Sequence, residues 1–288
     1  MRTHLECVAC LVKQAVEIAR SNIDPKDQEG FVRDVLGRLA GFDYNDSPPM
    51  MAKHMYDMLR SMDGVTDPYA EIKSSYNAMC MDHYPRLNEM IRASMDPVDT
   101  AMRIAVAGNI IDFGLGTRHS IDVAGTIDQS LNAEFAIDHS MILKDRINAA
   151  RNILYLGDNA GEIVFDKLFI QNMGPEKVVF AVRDVPVIND VTMDDASQVG
   201  MDKLCRVVSS GSRAPGTPLK ECSSQFRDLF GSADLVISKG QGNFETLSDA
   251  PRDIFFLFMV KCPVIAEHSG VPVGSFVAMN REPGTMDG

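Results

Sequence analysis

The chain has 288 residues, enough for one large domain or two modest ones around an ample core. Apolar residues make up 45% and charged residues 24%, an ordinary balance for a soluble globular protein. The formal net charge of −12 argues against nucleic acid or an anionic membrane as the main partner, though a local basic pocket can still hold a small anion.

No run approaches about 18 consecutive apolar residues, so no membrane span is expected. The opening MRTHLECVAC carries an acid and two cysteines and lacks the apolar core of a signal peptide. Six cysteines, at 7, 10, 80, 205, 222 and 262, are too sparse for a disulfide scaffold in a chain of this length. A reducing cytoplasm is the expected location. With no tryptophan and 18 methionines, the core is expected to lean on flexible thioethers.

The first half reads helical. Thr3 followed by Glu6 predicts a capping box for a helix running toward Ser21. Asp-Pro recurs at Asp24-Pro25, Asp67-Pro68 and Asp96-Pro97, each a good N-cap before a proline suited to the first helical turn. Ser47-Pro48 reads the same way. Val32, Val35, Leu36 and Leu39 repeat at helical spacing, as do Met51, Met55, Met58, Leu59 and Met62. Pro85 is expected to kink or end the helix begun at Pro68. A helix from Pro97 should stop at Gly108, and residues 126–147 read as a further helix.

Near residue 150 the texture changes. Residues 1–150 read as a helical N-terminal domain, and 151–288 as a Rossmann-like α/β domain built on a mostly parallel sheet. Candidate strands are 152–156, 177–182, 205–209, 234–238, 254–260 and 273–279, with helical stretches at 163–173, 193–199 and 219–230. Several strands are apolar throughout and do not alternate, which suggests cover on both faces.

Three strand ends carry polar clusters that a parallel sheet brings to one edge. They are Gly157-Asp158-Asn159-Ala160-Gly161-Glu162, the stretch from Arg183 to Thr192 with Asn189-Asp190, and Ser238-Lys239-Gly240-Gln241-Gly242-Asn243. Each alone has a plain reading as a cap, a turn or a glycine-rich loop. Together, acidic oxygens from two loops and a lysine from a third suit a divalent metal facing an anionic substrate. Asn109 and Asp112 in GNIIDFG either line the same cleft from the helical side or satisfy a helix end. Cys7-x-x-Cys10 is a single pair that cannot fill a tetrahedral zinc site, so packing is favoured over metal or redox chemistry. There is no GxGxxG after the first strand, no Walker A lysine motif and no G-x-S-x-G elbow.

GDNAGEIVFD, PVINDVT, SKGQGNFE and the N-terminal ECVAC, in that combination, resemble the metal-dependent damage-control phosphatases. The likeness is to their prokaryotic stand-alone subfamily with an N-terminal CxxC, and it covers nearly the whole chain. The resemblance implies hydrolysis of phosphate monoesters on small metabolites, sugar phosphates or damaged phosphometabolites. It implies that Asp158, Asn159 and Asp190 hold a divalent ion (Mn²⁺, Mg²⁺, Co²⁺ or Ni²⁺). It gives Lys239 a catalytic, phosphate-facing role and Gly240, Gln241 and Asn243 roles in substrate binding, with Lys261 a second phosphate-facing lysine. Glu162 would orient a water, and N–H groups around Gly161 would face the phosphoryl oxygens. Methyl transfer from S-adenosylmethionine to a carboxyl group is the alternative reading.

Overall fold

Apolar residues repeating on one helical face fold the start of the chain into α1 (Leu5–Asn22), α2 (Pro25–Ala40), α3 (Pro48–Ser61), α4 (Ala70–Ala93) and α5 (Pro97–Gly108). The structure is a computed structural model that describes residues 1–62, 67–109, 125, 131 and 133–282. Among these, no helix is long and apolar enough to cross a membrane.

Two Asp-Pro caps form as the sequence predicts. Asp24 accepts from Lys26 N–H and Asp96 from Asp99 N–H. Asp67 instead caps a turn, accepting from Tyr69 N–H at 2.9 Å, and α4 starts at Ala70. The capping box expected at Thr3 does not form. His4 occupies the N-cap of α1, and the Thr3 hydroxyl donates to Asp46 O at 2.6 Å, which ties the start of the chain to the turn before α3.

Pro85 does not end α4, which continues to Ala93. Leu87 and Ile91, beyond the proline, are buried in the same apolar cluster as residues of the sheet, and that packing outweighs the lost backbone bond.

The sheet has seven strands: β1 (Phe135–Asp138), β2 (Ile153–Leu156), β3 (Val178–Val182), β4 (Arg206–Ser209), β5 (Leu235–Lys239), β6 (Ile254–Met259) and β7 (Phe276–Arg281). Their spatial order is β1-β7-β6-β5-β2-β3-β4. Neighbours from β6 through β4 are parallel, β7 is antiparallel to β6, and β1 is parallel to β7. The intervening helices are α6 (Ser140–Ala149), α7 (Glu162–Met173), α8 (Met193–Gln198), α9 (Ser224–Ser232), α10 (Gln241–Leu247) and α11 (Pro263–Ser269). The strand β1 replaces part of the helix expected over 126–147. Its four residues alternate half-buried with exposed, the pattern of an edge strand; residues 140–147 do form helix, as part of α6, and 126–130 and 132 lie outside the described residues.

Both faces of the sheet are covered. Ile153 and Tyr155 pack into one apolar layer with α4, α5 and α7, while Leu154 and Leu156 pack into the other with α9, α10 and α11. A third cluster holds α1, α2 and α3 together, and Val187 from the loop after β3 is buried in it. That plug fixes the helices against the carboxyl edge of the sheet.

Pro85 is exposed in mid-helix and has no N–H to offer Met81. Pro85→Ala is therefore expected to raise stability by roughly 1–3 kcal/mol, the helical gain outweighing the extra unfolded-state entropy. Chemical denaturation measures this, and a lower midpoint for the variant would mean that the packing of α4 depends on the proline.

Candidate active site

The chain passes β2, β3 and β4 in one direction and then crosses back to place β5 on the other side of β2. The crevice above β2 and β5 is thus a topological switch point, where open α/β sheets leave room for ligands. Three loops converge on it.

The first leaves β2 at Gly157, where a Cβ would come within 2.6 Å of Phe180 Cζ. It carries Asp158 and Asn159 and ends at Gly161, whose φ of +77° starts α7. The second leaves β3 at Arg183 and runs to Asp190. The two loops pair: Ala160 N–H donates to Asn189 O and Val191 N–H to Asp158 O, both at 2.9 Å, which makes an isolated antiparallel bridge between Asn159 and Asp190. Just before it, Ile188 has a φ of +47°, an unusual conformation for a β-branched residue. The third loop brings Gly240 against the first. A Cβ on Gly240 would lie 1.8 Å from Asp158 Oδ2, and its φ of +77° also demands glycine.

The result is a dense buried group of carboxylates. Asp158 is 7% exposed, Asp190 4%, and Glu162 1%. Burial, then Glu162 and Asp190, push the Asp158 carboxyl well above the usual carboxylate range, while Lys261 and Arg183 pull the other way. Asp166, one turn along α7 from Glu162, is pushed up to about 6 by burial against the pull of Lys239.

Two buried cations lie beneath them. Lys239 Nζ donates to Glu162 Oε1 and Asp166 Oδ1, both at 2.6 Å, and to Ala105 O at 2.8 Å. These contacts use all three of its N–H donors. In this arrangement Lys239 has none to offer a phosphate; it holds Glu162. Arg183 Nε donates to Asp190 Oδ2 at 2.7 Å, and its other nitrogens reach Gly157 O, Thr217 Oγ1 and Asn243 Oδ1, each at 3.3 Å.

The remaining residues singled out by the sequence fall into place around this group. Asn109 turns its side chain to the carboxylates and to the end of β6, not to the end of its own helix. Its Nδ2 donates to Asp158 Oδ2 at 3.3 Å and Glu162 Oε2 at 3.2 Å, while its Oδ1 accepts from Met259 N–H at 3.1 Å. Asn243 is buried and faces inward, donating to Gly157 O and Lys239 O. Gln241 accepts from Lys261 N–H and donates to Glu245, so it braces the loop that presents Lys261. Lys261 is half-buried and within electrostatic reach of Asp158. The N–H of Gly161 donates to Asn77 Oδ1 at 2.7 Å and is not directed at the crevice. Asp112 lies outside the described residues. Cys7 packs beside the sheet's outer apolar layer and Cys10 is exposed, with burial raising both thiols.

Asp166, Arg183 and Asn77 were not among the residues chosen from the sequence. Asp166 had a readable signal: it sits at i+4 from Glu162 on a helix otherwise apolar on that side, which predicts two buried like charges seeking a cation. Arg183 stands alone at the end of an apolar strand. Asn77, in a polar stretch of α4, gives no signal at all.

The donor set suits a hard divalent cation. Asn159 Nδ2 donates to Asp158 Oδ2 at 2.8 Å and to Glu162 Oε2 at 3.2 Å, so amide hydrogens occupy the space between carboxylates. Turning the Asn159 amide over would present its oxygen beside Asp158, in the oxygen-rich chemistry of Mg²⁺ or Mn²⁺ sites. Among the described residues no three His, Cys, Asp or Glu side chains already converge as a ready-made cage. An ion would draw the oxygens together.

Residues 3–277 match the model of the damage-control phosphatase ARMT1-like domain. The chain belongs to that family. It is 32% identical to the damage-control phosphatase PH1575 of Pyrococcus horikoshii, over 98% of this chain and 99% of that one. It is 29% identical to a damage-control phosphatase of Archaeoglobus fulgidus, over 94% and 96% of the two chains. The crystal structure of PH1575, described as a DUF89 family protein, superposes with a TM-score of 0.86 over 98% of this chain and 100% of that one. The family makes the chain a phosphatase and favours phosphoester hydrolysis over methyl transfer.

Two outcomes follow from the site's geometry. Gly240→Ala must move Asp158, and is expected to lower stability by more than about 2 kcal/mol in chemical denaturation. A midpoint equal to that of the native chain would mean the loop yields freely. The second concerns pH. Folded Asp158 keeps a proton that the unfolded side chain releases above about pH 4, so this group's contribution to stability is full below that pH and is lost as pH rises through the folded value. A cation takes the proton's place. The gain in Tm from added Mn²⁺ should therefore be larger near pH 8 than near pH 5, and equal gains at both would count against a carboxylate site.

Proposed function

We propose that the protein is a metal-dependent phosphatase that hydrolyses phosphate monoesters of small metabolites, sugar phosphates or damaged phosphometabolites, in the crevice above β2 and β5. The observation that carries this reading is the meeting of Asp158, Asn159 and Asp190 on two loops paired backbone to backbone, with buried carboxylates separated only by amide hydrogens. Asp158, Asn159 and Asp190 would hold the divalent ion: Mg²⁺ or Mn²⁺ by the hardness of the oxygens, with Co²⁺ or Ni²⁺ compatible. When bound, such an ion polarises a phosphoryl oxygen and acidifies a water.

The chain's own groups supply the rest. Glu162, anchored through Oε1 by Lys239, has its Oε2 turned toward Asn109 and Asn159 on the side of Asp158. There it can orient a water or accept its proton. Lys239 is assigned to positioning, because its donors are committed to Glu162, Asp166 and Ala105. Lys261 is the cation assigned to the substrate phosphate, held by Gln241 on the loop after β6. Gly240, having no side chain, lets the third loop close directly onto the Asp158 carboxylate. Arg183 fixes Asp190 through its Oδ2. The net charge of −12 is compatible with a small phosphorylated metabolite as substrate and argues against nucleic acid or an anionic membrane as partner.

Phosphate release from a panel of sugar phosphates and p-nitrophenyl phosphate tests this. Activity is expected to vanish on chelation and return with Mn²⁺ or another divalent ion. Asp158→Ala should fall by about a thousandfold or more, equivalent to roughly 4 kcal/mol of transition-state stabilisation. Full turnover in chelator, or in Asp158→Ala, would refute the metal reading.

A further inference from the structure

Asn77 is fully buried in α4, far in sequence from both ligand loops, yet it touches the first and is one residue removed from the second. Its Oδ1 accepts from Gly161 N–H at 2.7 Å, three residues after Asp158. Its Nδ2 donates to Asp195 Oδ1 at 3.3 Å and to Gln198 Oε1 at 2.9 Å. The other oxygen of Asp195 accepts from the backbone N–H and the hydroxyl of Thr192, at 2.9 and 2.8 Å, two residues after Asp190. Lys73, one turn earlier on α4, neutralises the same oxygen at 3.0 Å and is itself paired with Asp67 at 2.9 Å. A continuous buried chain therefore runs from Gly161 through Asn77 and Asp195 to Thr192.

We propose that Asn77 is a positioning residue that sets the separation of the two ligand loops, and so the affinity of the site for its metal. The proposal rests on the reading of Asp158, Asn159 and Asp190 as metal ligands. Its physical basis is the role of the Gly161 amide. Gly161 is the N-cap of α7 at positive φ, so its N–H is one of the donors a helix start leaves without an internal partner. Asn77 supplies the acceptor, which fixes the last turn of the Asp158 loop to α4. Through Asp195 the same side chain fixes the end of the Asp190 loop to α4. One rigid helix thus holds both sides of the site, as outer hydrogen bonds hold the ligands of known metal centres. The direct bridge between the loops sets their register, and Asn77 sets their position against the rest of the fold.

Two substitutions separate this from a merely structural role. Asn77→Ala removes the acceptor and both donor bonds. Asn77→Asp keeps an acceptor for Gly161 N–H while losing the donor bonds to Asp195 and Gln198, and both variants should lose stability. Mn²⁺ binding to the full chain, measured by titration calorimetry with the metal alone, is expected to weaken about tenfold or more in Asn77→Ala. Asn77→Asp, which keeps the Gly161 bond but loses the tie to Asp195, should weaken binding by less than Asn77→Ala but measurably. Gln198→Ala, which leaves the Gly161 bond intact, should match the native chain. An unchanged Kd in a folded Asn77→Ala, or a loss in Asn77→Asp as large as in Asn77→Ala, overturns the proposal. If Asn77→Ala does not fold, Asn77→Asp decides: Mn²⁺ affinity weakened several-fold with the Gly161 amide still protected from hydrogen exchange supports it, and a native Kd overturns it. Asp158→Ala distinguishes the underlying reading. If the native chain binds no Mn²⁺, or Asp158→Ala binds it equally well, the assignment of the ligands has failed and this proposal falls with it; if Asp158→Ala alone loses Mn²⁺, the ligands stand and Asn77 is judged by its own variants.

Discussion

Four carboxylates, Asp158, Glu162, Asp166 and Asp190, are buried within one small region, which would be prohibitive without countercharge. Lys239 and Arg183, both almost wholly buried, supply it from below. Removing either cation would leave a buried uncompensated acid, at a cost of about 3–5 kcal/mol. The cations do not neutralise the group evenly. Lys239 sits on Glu162 and Asp166, Arg183 on Asp190, and neither makes a direct contact with Asp158. Among the described residues Asp158 makes no direct ion pair, and it is the carboxyl whose proton affinity rises most clearly. The group is thus stable yet locally short of positive charge.

The topology explains why this arrangement appears where it does. Because β5 lies beside β2 on the side away from β3, the loops after all three strands open at the same edge and can touch. Contact at that edge is close enough that Gly240 can carry no side chain. The helical part contributes less chemistry than alignment, through Asn109, Asn77 and the cluster that buries Val187.

Much of this was legible in the sequence. The central strands from 152 onward announce themselves as short apolar runs, because a strand covered on both faces must be apolar throughout, whereas β4 at the sheet's edge is only partly covered. Asp158-Asn159 and Asn189-Asp190 stand out as polar residues at strand ends, and Gly157 and Gly161 around the first pair mark a turn. What escaped is instructive in each case. The strand β1 is an edge strand with only half its residues covered, so it lacks an apolar run. Lys239 is expected from the family resemblance and from its place at a strand end to face the substrate. Only the structure reveals that strand alternation turns it under the sheet's edge, toward Glu162 and Asp166. The Gly161 amide was assigned to a phosphate because helix starts commonly bind anions, and the competing acceptor lies 84 residues earlier in the chain. Local patterns report local structure; such partners are set by packing of distant elements.

Ile188 has a wider consequence. A β-branched residue at a φ of +47° stores strain of about 1–3 kcal/mol, and the loop keeps it because Val187 is anchored among α1, α2 and α3. The loop that presents Asp190 is thus held open from outside the sheet, like a latch kept under tension. Residues of the helical cluster that never approach the crevice are therefore tied to it in their tolerance of change. Substitutions there that loosen the Val187 socket would be expected to survive best when accompanied by a residue at 188 content with positive φ, such as glycine or asparagine. Two regions with different architectures would drift through evolution as one.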